Sequence, residues 1–245
     1  MDKSLLKDRF KKAANSYKTE ATTQRNIATE LWKITASVIS DSPCDDILEV
    51  GCGTGFLTSQ YQELVGKRIT LNDIYDITDN FEASPKISYK IGDAEQIKWH
   101  KKFDLILSAS SIQWFNDLEG FLENSHNSLN EGGIIALSTF GPDNFKEVRM
   151  AGGKSLNYKS KNELTEIFSK YFDLIKIKEE TITLEFPDVR SILRHIKNTG
   201  VMGGLGSGAS LRELLLFENK YNSQWQNLEY APLTYHPIYI IGKKR

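Results

Sequence analysis

The sequence predicts an α/β fold: a mostly parallel, doubly wound sheet of seven strands with helices on both faces, a helical cap at the amino end and a helical lid inserted before the last strand. Three observations predict it. Short apolar runs alternate with helical spacing through the middle of the chain, as in crossover units whose strands are buried on both faces. A glycine-rich turn, Glu49-Val50-Gly51-Cys52-Gly53-Thr54-Gly55, follows the first of these runs. Two of the runs after it are closed by acidic residues, Asp73 and Asp93, at the ends where such sheets bind ligands.

Residues 1 to about 40 carry helical spacing and no strand pattern, through Phe10, Ala13, Ala14 and Tyr17 and then Ile27, Leu31, Ile34 and Val38. Buried strands are predicted over Asp46–Val50, Arg68–Asp73, Ile87–Ile91, Phe103–Ser108 and 133–140, with helices between them. Asn130-Glu131-Gly132-Gly133 is expected to close the helix before the fifth strand as a glycine cap. Beyond Phe140 the pattern predicts a helix over 162–171, an alternating strand over 172–184 and a final strand over 233–242. Between those last two, 188–221 reads as two helical segments around the glycine-rich stretch 200–208. That insertion is either a gate that its glycines allow to move or a flexible connection. A single domain is expected: cap 1–42, cofactor-binding sheet core 43–186, helical lid 187–228 and last strand 229–245.

At 245 residues and 40% hydrophobic, the chain can bury a full core as one domain plus an elaboration. A formal net charge of −1 gives no reason to expect nucleic acid, which selects a basic excess or stripe. The cysteines are only Cys44 and Cys52, and Cys52 lies inside the glycine turn. A reducing compartment is therefore expected, with no structural disulfide and no metal. No apolar stretch reaches 18 residues, and the amino end is strongly charged from Met1 to Lys12. A cytoplasmic monomer without membrane contact is expected.

The glycine turn is a nucleotide-binding loop of a particular kind. A dinucleotide fingerprint needs a glycine where this chain has Phe56, so the spacing is G-x-G-x-G and no pyrophosphate cradle is implied. Glu49 repels a phosphate but suits an ammonium group, so the loop fits an amino-acid-like cofactor such as S-adenosylmethionine, held directly or through water. The alternative is a plain tight connection from strand to helix. Asp73 comes 24 residues after Glu49, at the end of the next strand, placed to accept hydrogen bonds from ribose hydroxyls. In Gly92-Asp93-Ala94, Asp93 can receive the exocyclic amine of an adenine while the Ala94 N–H faces a ring nitrogen. Singly, each acid would be a helix cap; three in register point to an adenosine-containing cofactor. Gly51, Gly53, Gly55, Ile74 and Ser108 complete the predicted cofactor contacts.

Glu49–Gly55, Asp73, Gly92-Asp93-Ala94 and Phe103–Ser108 together resemble the class I S-adenosylmethionine-dependent methyltransferases. More narrowly, Arg9-Phe10-Lys11-Lys12-Ala13-Ala14-Asn15-Ser16-Tyr17, Gln24-Arg25, Ile112-Gln113-Trp114, the stretch 137–142 and Pro232-Leu233-Thr234-Tyr235-His236 resemble the malonyl-acyl-carrier-protein O-methyltransferase family of biotin biosynthesis. The resemblance runs from near the amino terminus to the last strand. It implies a Rossmann-like fold, S-adenosyl-L-methionine as cofactor, and methylation of the free carboxylate of a malonyl thioester to prime pimeloyl formation. The implied partner is malonyl-loaded acyl carrier protein or malonyl-CoA. Glu49 and Thr54 are variants within the cofactor loop, and Ser108 with Ser110 stands where that family often has asparagine.

A carboxylate nucleophile is ionised at neutral pH and needs no general base. Its methylation rests on positioning, which contributes on the order of 7 to 11 kcal/mol in the best cases. Arg194, in the inserted segment, is a candidate to grip the carboxylate bidentately, or else part of a solvated face with Arg190 and Lys197. Tyr17, on a helix expected to fold over the crevice, is a candidate to orient the carboxylate or cover the cofactor, or else a packing aromatic. Gln113 and Trp114 follow the fourth strand at the correct end for a site, and His236 reads as a strand residue with a satisfied ring. Other readings are a methyltransferase of another small acid or metabolite, and a silent cofactor-binding protein on the same fold.

Overall fold

The computed structural model of the protein describes residues 3–39, 44–63, 68–200, 210–225 and 228–245, with the backbone alone at 12, 14 and 15. Two helices lead, α1 (Lys3–Glu20) and α2 (Thr22–Ile39), and then β1 (Asp46–Val50), the short α3 (Thr58–Tyr61), β2 (Arg68–Asp73), β3 (Ile87–Ile91) and β4 (Phe103–Ser108). Next come α4 (Leu118–Ser128), β5 (Leu129–Phe140), α5 (Lys146–Met150), α6 (Lys161–Phe168), β6 (Phe172–Glu179) and β7 (Ile182–Phe186). The chain closes with α7 (Val189–Asn198), α8 (Leu211–Gln224), β8 (Ala231–Tyr235) and β9 (Pro237–Lys244). Seven strands form one sheet in the order β3-β2-β1-β4-β5-β9-β6. The first five are parallel, and β9 lies antiparallel between β5 and β6.

Strands β1, β2 and β4 are buried nearly throughout, because side chains alternate between two covered faces. On one face Ile47, Leu71, Leu105, Leu107 and Ala136 pack with Ile27 and Leu31 of α2, Ile192 and Ile196 of α7, and Phe217 and Tyr221 of α8. On the other, Leu48, Val50, Ile106, Ile135 and Leu137 pack with Phe121 and Leu122 of α4 and Leu164 and Phe168 of α6. Caps fix where these helices start. Asp117 accepts the Gly120 N–H and Asp188 the Ser191 N–H, while Ser160–Glu163 and Ser210–Glu213 form reciprocal capping boxes. α1 leans on α7, where the Ser16 hydroxyl donates to the Asn198 carbonyl at 2.9 Å.

Among the described residues no α-helix stands between β2 and β3, which a 3-10 turn at Thr78–Asn80 joins, or between β3 and β4, so the expected alternation of strand and helix lapses there. Three further expected elements come out differently. The stretch 172–184 is two strands: β6 pairs with β9, whereas β7 leaves the main sheet and pairs antiparallel with β8. The expected final strand over 233–242 likewise breaks at His236. There the N–H is taken by the Asn144 side chain and the carbonyl by the Gly141 N–H, so both ladder groups are engaged from outside the strand, and Pro237 brings no N–H of its own. The third is the glycine pair at 132 and 133, which does not cap α4. That helix ends on extended Leu129, and Gly132, at φ +74°, lies in an irregularity where β5 slips register against β4. The glycine-rich stretch 201–208, read from sequence as a gate or a connection, lies outside the described residues. Among the described residues no helix is long and apolar enough to cross a membrane.

Candidate functional site

A cavity opens at the carboxyl ends of the central strands, where the order switches direction between β1 and β4. About 990 Å³ of space lies within it, the open solvent at its mouth included. The floor is the turn after β1. Gly51, Gly53 and Gly55 hold φ values of +67°, +52° and +84°, a region glycine occupies without strain. A Cβ on Gly51 would come within 2.6 Å of Ser111 Cβ, and one on Gly55 within 2.8 Å of a Phe81 ring carbon. Nothing lies within 4 Å ahead of Gly53, so that residue leaves the cavity open in front of its backbone.

Asp73 ties the turn to β2 by accepting the Gly53 N–H at 2.8 Å and the Tyr75 N–H at 3.4 Å. Burial raises its carboxyl from the ordinary 3.8 to about 6, against the pull of those backbone donors. One Glu49 carboxylate oxygen accepts the Tyr61 hydroxyl at 2.6 Å and the Thr58 hydroxyl at 2.7 Å. Burial lifts this carboxyl to about 7, the two hydroxyls oppose that, and the charge on Asp73 adds to it. Two carboxyls held above their usual range in one cavity mark a place where a cationic ligand restores both charges.

At the far wall Asp93 Oδ1 accepts the Glu95 N–H at 3.0 Å and pairs with the Lys3 ammonium at 2.5 Å. Lys3 also pairs with Glu95 and stands 5.3 Å from the Phe115 ring centroid, which fastens the start of α1 across this end of the cavity. Farther along α1, Tyr17 stacks on Phe56 with centroids 5.4 Å apart, and Phe10 meets Trp114 edge-on at 5.5 Å. Burial first, and the charge on Asp73 second, push the Tyr17 phenol well up. It stays protonated and can act as a donor.

The cavity brings together Tyr17, Glu49, Gly51, Gly53, Asp73, Ile74, Asp93 and Ala94. Gly55 supports the turn from behind. Ser108 is fully buried beneath the cavity rather than on its wall, because β4 is still inside the sheet at that point. The wall is made by Ala109, Ser110 and Ser111. Ser110 takes a left-handed φ of +51°, with its N–H on the Ser138 carbonyl and hydroxyl oxygens, both at 3.1 Å. Arg194 is exposed and is not on the cavity wall. The buried stripe of α7 is Val189, Ile192 and Ile196, and position 194 falls on the opposite side. His236 has the satisfied ring expected of it: Nδ1 accepts the Asp143 N–H at 3.1 Å, and Nε2 lies 3.4 Å from Glu179.

Sequence reasoning assigned no site role to Lys3, Gln24, Thr54 or Ser110, all of which line the cavity. The Gln24 amide and the hydroxyls of Thr54 and Ser110 are buried with no hydrogen-bond partner among the described residues, which in a folded protein calls for an explanation. Gln24 had one signal: it is a polar residue on the buried stripe of α2 with Ile27, Ala28 and Leu31. Lys3 had none, its partners lying 90 and 92 residues away. Acids at three strand ends, open space before Gly53 and unpartnered hydroxyls fit S-adenosylmethionine. Glu49 would take the amino group, Asp73 the ribose and Asp93 the adenine amine.

A family model described as a methyltransferase domain matches residues 48–137. The chain is 36% identical to the malonyl-[acyl-carrier protein] O-methyltransferase of Bacteroides thetaiotaomicron, over 100% of this chain and 99% of that one. It is 34% identical to the enzyme of the same name from Acinetobacter baylyi, over 100% and 98%. Among solved structures, the YcgJ protein of Bacillus subtilis superposes with a TM-score of 0.60 at 16% identity, covering 89% of this chain and 98% of that one, a likeness of fold alone. Similarity over full length, joined to a seven-stranded Rossmann-like sheet with its cavity at the switch point, is decisive: the chain belongs to the malonyl-[acyl-carrier protein] O-methyltransferase family of S-adenosylmethionine-dependent enzymes.

Proposed function

We propose that this chain methylates the free carboxylate of a malonyl thioester carried on acyl carrier protein, giving the methyl ester that primes pimeloyl formation in biotin biosynthesis. S-adenosyl-L-methionine, when bound, supplies the electrophilic methyl group. One observation of the site carries the choice of acceptor: among the described residues no histidine lines the cavity, the phenols that do, Tyr17 and Tyr75, are held protonated, and its carboxyls, Glu49, Asp73 and Asp93, are the ones that fit the cofactor. A hydroxyl acceptor would need a base, whereas a carboxylate arrives ionised. What the chain must supply is orientation and a dry setting. The Phe10, Phe56 and Trp114 rings give the cavity an apolar wall, and the protonated Tyr17 hydroxyl can donate to a ligand there. Cys44 and Cys52 are free thiols, which supports a cytoplasmic setting.

Mass spectrometry of protein incubated with S-adenosylmethionine and malonyl-acyl-carrier protein, malonyl-CoA or free malonate tests this. One methyl is expected on the malonyl group of the carrier protein, and none on acetyl-carrier protein. Cofactor binding without methylation of any malonyl species would overturn the proposal.

A further inference from the structure

We propose that Gln24 holds the acceptor carboxylate, its side-chain amide donating to the malonyl oxygen that is not being methylated. This rests on the carboxyl-methylation reading above and adds the residue that makes the acceptor site. Gln24 is 4% exposed and lines the cavity, yet neither its amide nitrogen nor its amide oxygen has a hydrogen-bond partner among the described residues. A buried amide in that state costs the fold unless a ligand completes it. The nearest polar neighbour, the Tyr235 hydroxyl, which meets His195 Nε2 at 2.8 Å, stands close enough to interact with Gln24 but outside hydrogen-bond geometry, so it leaves the amide uncompleted.

Position separates Gln24 from the cofactor acids. Asp73 and Asp93 follow β2 and β3, on one side of β1 in the sheet. Gln24 rides on α2, which packs against β5, on the other side of β1. Gln24 stands beside the Tyr235 hydroxyl of β8, which puts the amide on the side of the cavity next to the two-stranded β7–β8 sheet.

The chemistry favours a neutral donor. Methyl transfer consumes the negative charge of the carboxylate, so a guanidinium clamp would bind the ground state more tightly than the transition state and raise the barrier. An amide fixes the same oxygen in direction with less ground-state stabilisation, since its hydrogen bond carries no full charge of its own. The exposed position of Arg194, outside the cavity wall, agrees with a site that does not use an ionic clamp.

The test is kinetic. Gln24→Met keeps the length and apolar packing of the side chain and removes the donor; Gln24→Glu keeps the shape and sets a like charge against the carboxylate. Initial rates with malonyl-acyl-carrier protein are measured beside the affinity for S-adenosylhomocysteine by calorimetry, which also reports that the fold is intact. Gln24→Met should raise KM or lower kcat/KM by about 10- to 100-fold, Gln24→Glu by more, with S-adenosylhomocysteine affinity within about twofold of wild type. Unchanged kinetics in either variant would overturn the assignment. So would a parallel loss of S-adenosylhomocysteine binding in both, since Gln24 would then serve the cofactor pocket or the fold. A wild type that methylates no malonyl carrier removes the acceptor reading itself and this residue with it, whereas an active wild type matched by its variants removes Gln24 alone.

Discussion

Glu49→Gln should make the ligand-free protein more stable and a poorer binder, with a pH signature that separates this effect from ordinary repacking. The wild-type carboxyl is fully buried and held at about 7 instead of its ordinary 4.5, with burial as the main cause. A folded-state value raised above the unfolded one means that the group favours folding while protonated. That contribution is complete below about 4.5 and is lost as pH rises through about 7. Ionising Glu49 in the folded chain thus costs on the order of 3 kcal/mol at pH 8. The substituted amide would still present one oxygen to the Tyr61 and Thr58 hydroxyls and carry no charge. At pH 8 the variant should melt roughly 6 to 12 °C higher than wild type, at about 2 to 4 °C per kcal/mol for a chain of this size. At pH 5 the gain should shrink below about 1 kcal/mol, because the wild-type group is then protonated in the fold as well. Calorimetric titration with S-adenosylhomocysteine should show binding weakened about tenfold or more, from loss of a charge-assisted hydrogen bond to the ligand's amino group. A variant no more stable than wild type at pH 8, or equally stabilised at both pH values, would refute the view that Glu49 is a strained, ligand-completed charge.

Gly51→Ala, at φ +67° and with its new Cβ inside contact distance of Ser111, should cost about 2 kcal/mol or more in chemical denaturation and abolish cofactor binding at ordinary concentrations. Tyr17→Phe should lower kcat about tenfold through loss of an oriented donor, while leaving the pH–rate profile unmoved between about pH 6 and 9, because the phenol is protonated throughout. A shifted profile would mean that Tyr17 titrates during turnover. Arg194→Ala, on the exposed side of α7, should leave kcat/KM for malonyl-CoA within about twofold of wild type, since surface charges away from a site contribute little.

Legibility followed how local each signal was. Strands β1 and β4 carry short apolar runs and β2 alternates Ile69 and Leu71 with Thr70 and Asn72, and the glycine turn and the acids at strand ends lie where a parallel sheet must put its ligand, so all of these could be read from residues adjacent in sequence. What escaped depends on contacts across the chain. His236 interrupts a strand that looks unbroken because Asn144 and Gly141, more than 90 residues earlier, take its backbone groups. Lys3 joins the site only because α1 folds back over Asp93 and Glu95. Arg194 has the right chemistry for a carboxylate on a helix whose rotation could not be known before its buried stripe was. Ser108 fails by one residue, since the sheet does not release the chain into the cavity until Ala109.

The electrostatic layout gives these misses a common sense. All three acids that line the cavity, Glu49, Asp73 and Asp93, lie in or at the ends of β1, β2 and β3, while the α2 flank offers the neutral amide of Gln24 beside the Tyr235 hydroxyl. A cationic cofactor relieves the strained acids, and an anionic acceptor entering at the neutral flank keeps its reactive charge until the methyl group arrives. A site with Arg194 at its centre would have spent that charge on binding. An exposed arginine and a buried, partnerless glutamine are two consequences of one requirement: charge to hold the electrophile's carrier, and direction without charge to hold the nucleophile.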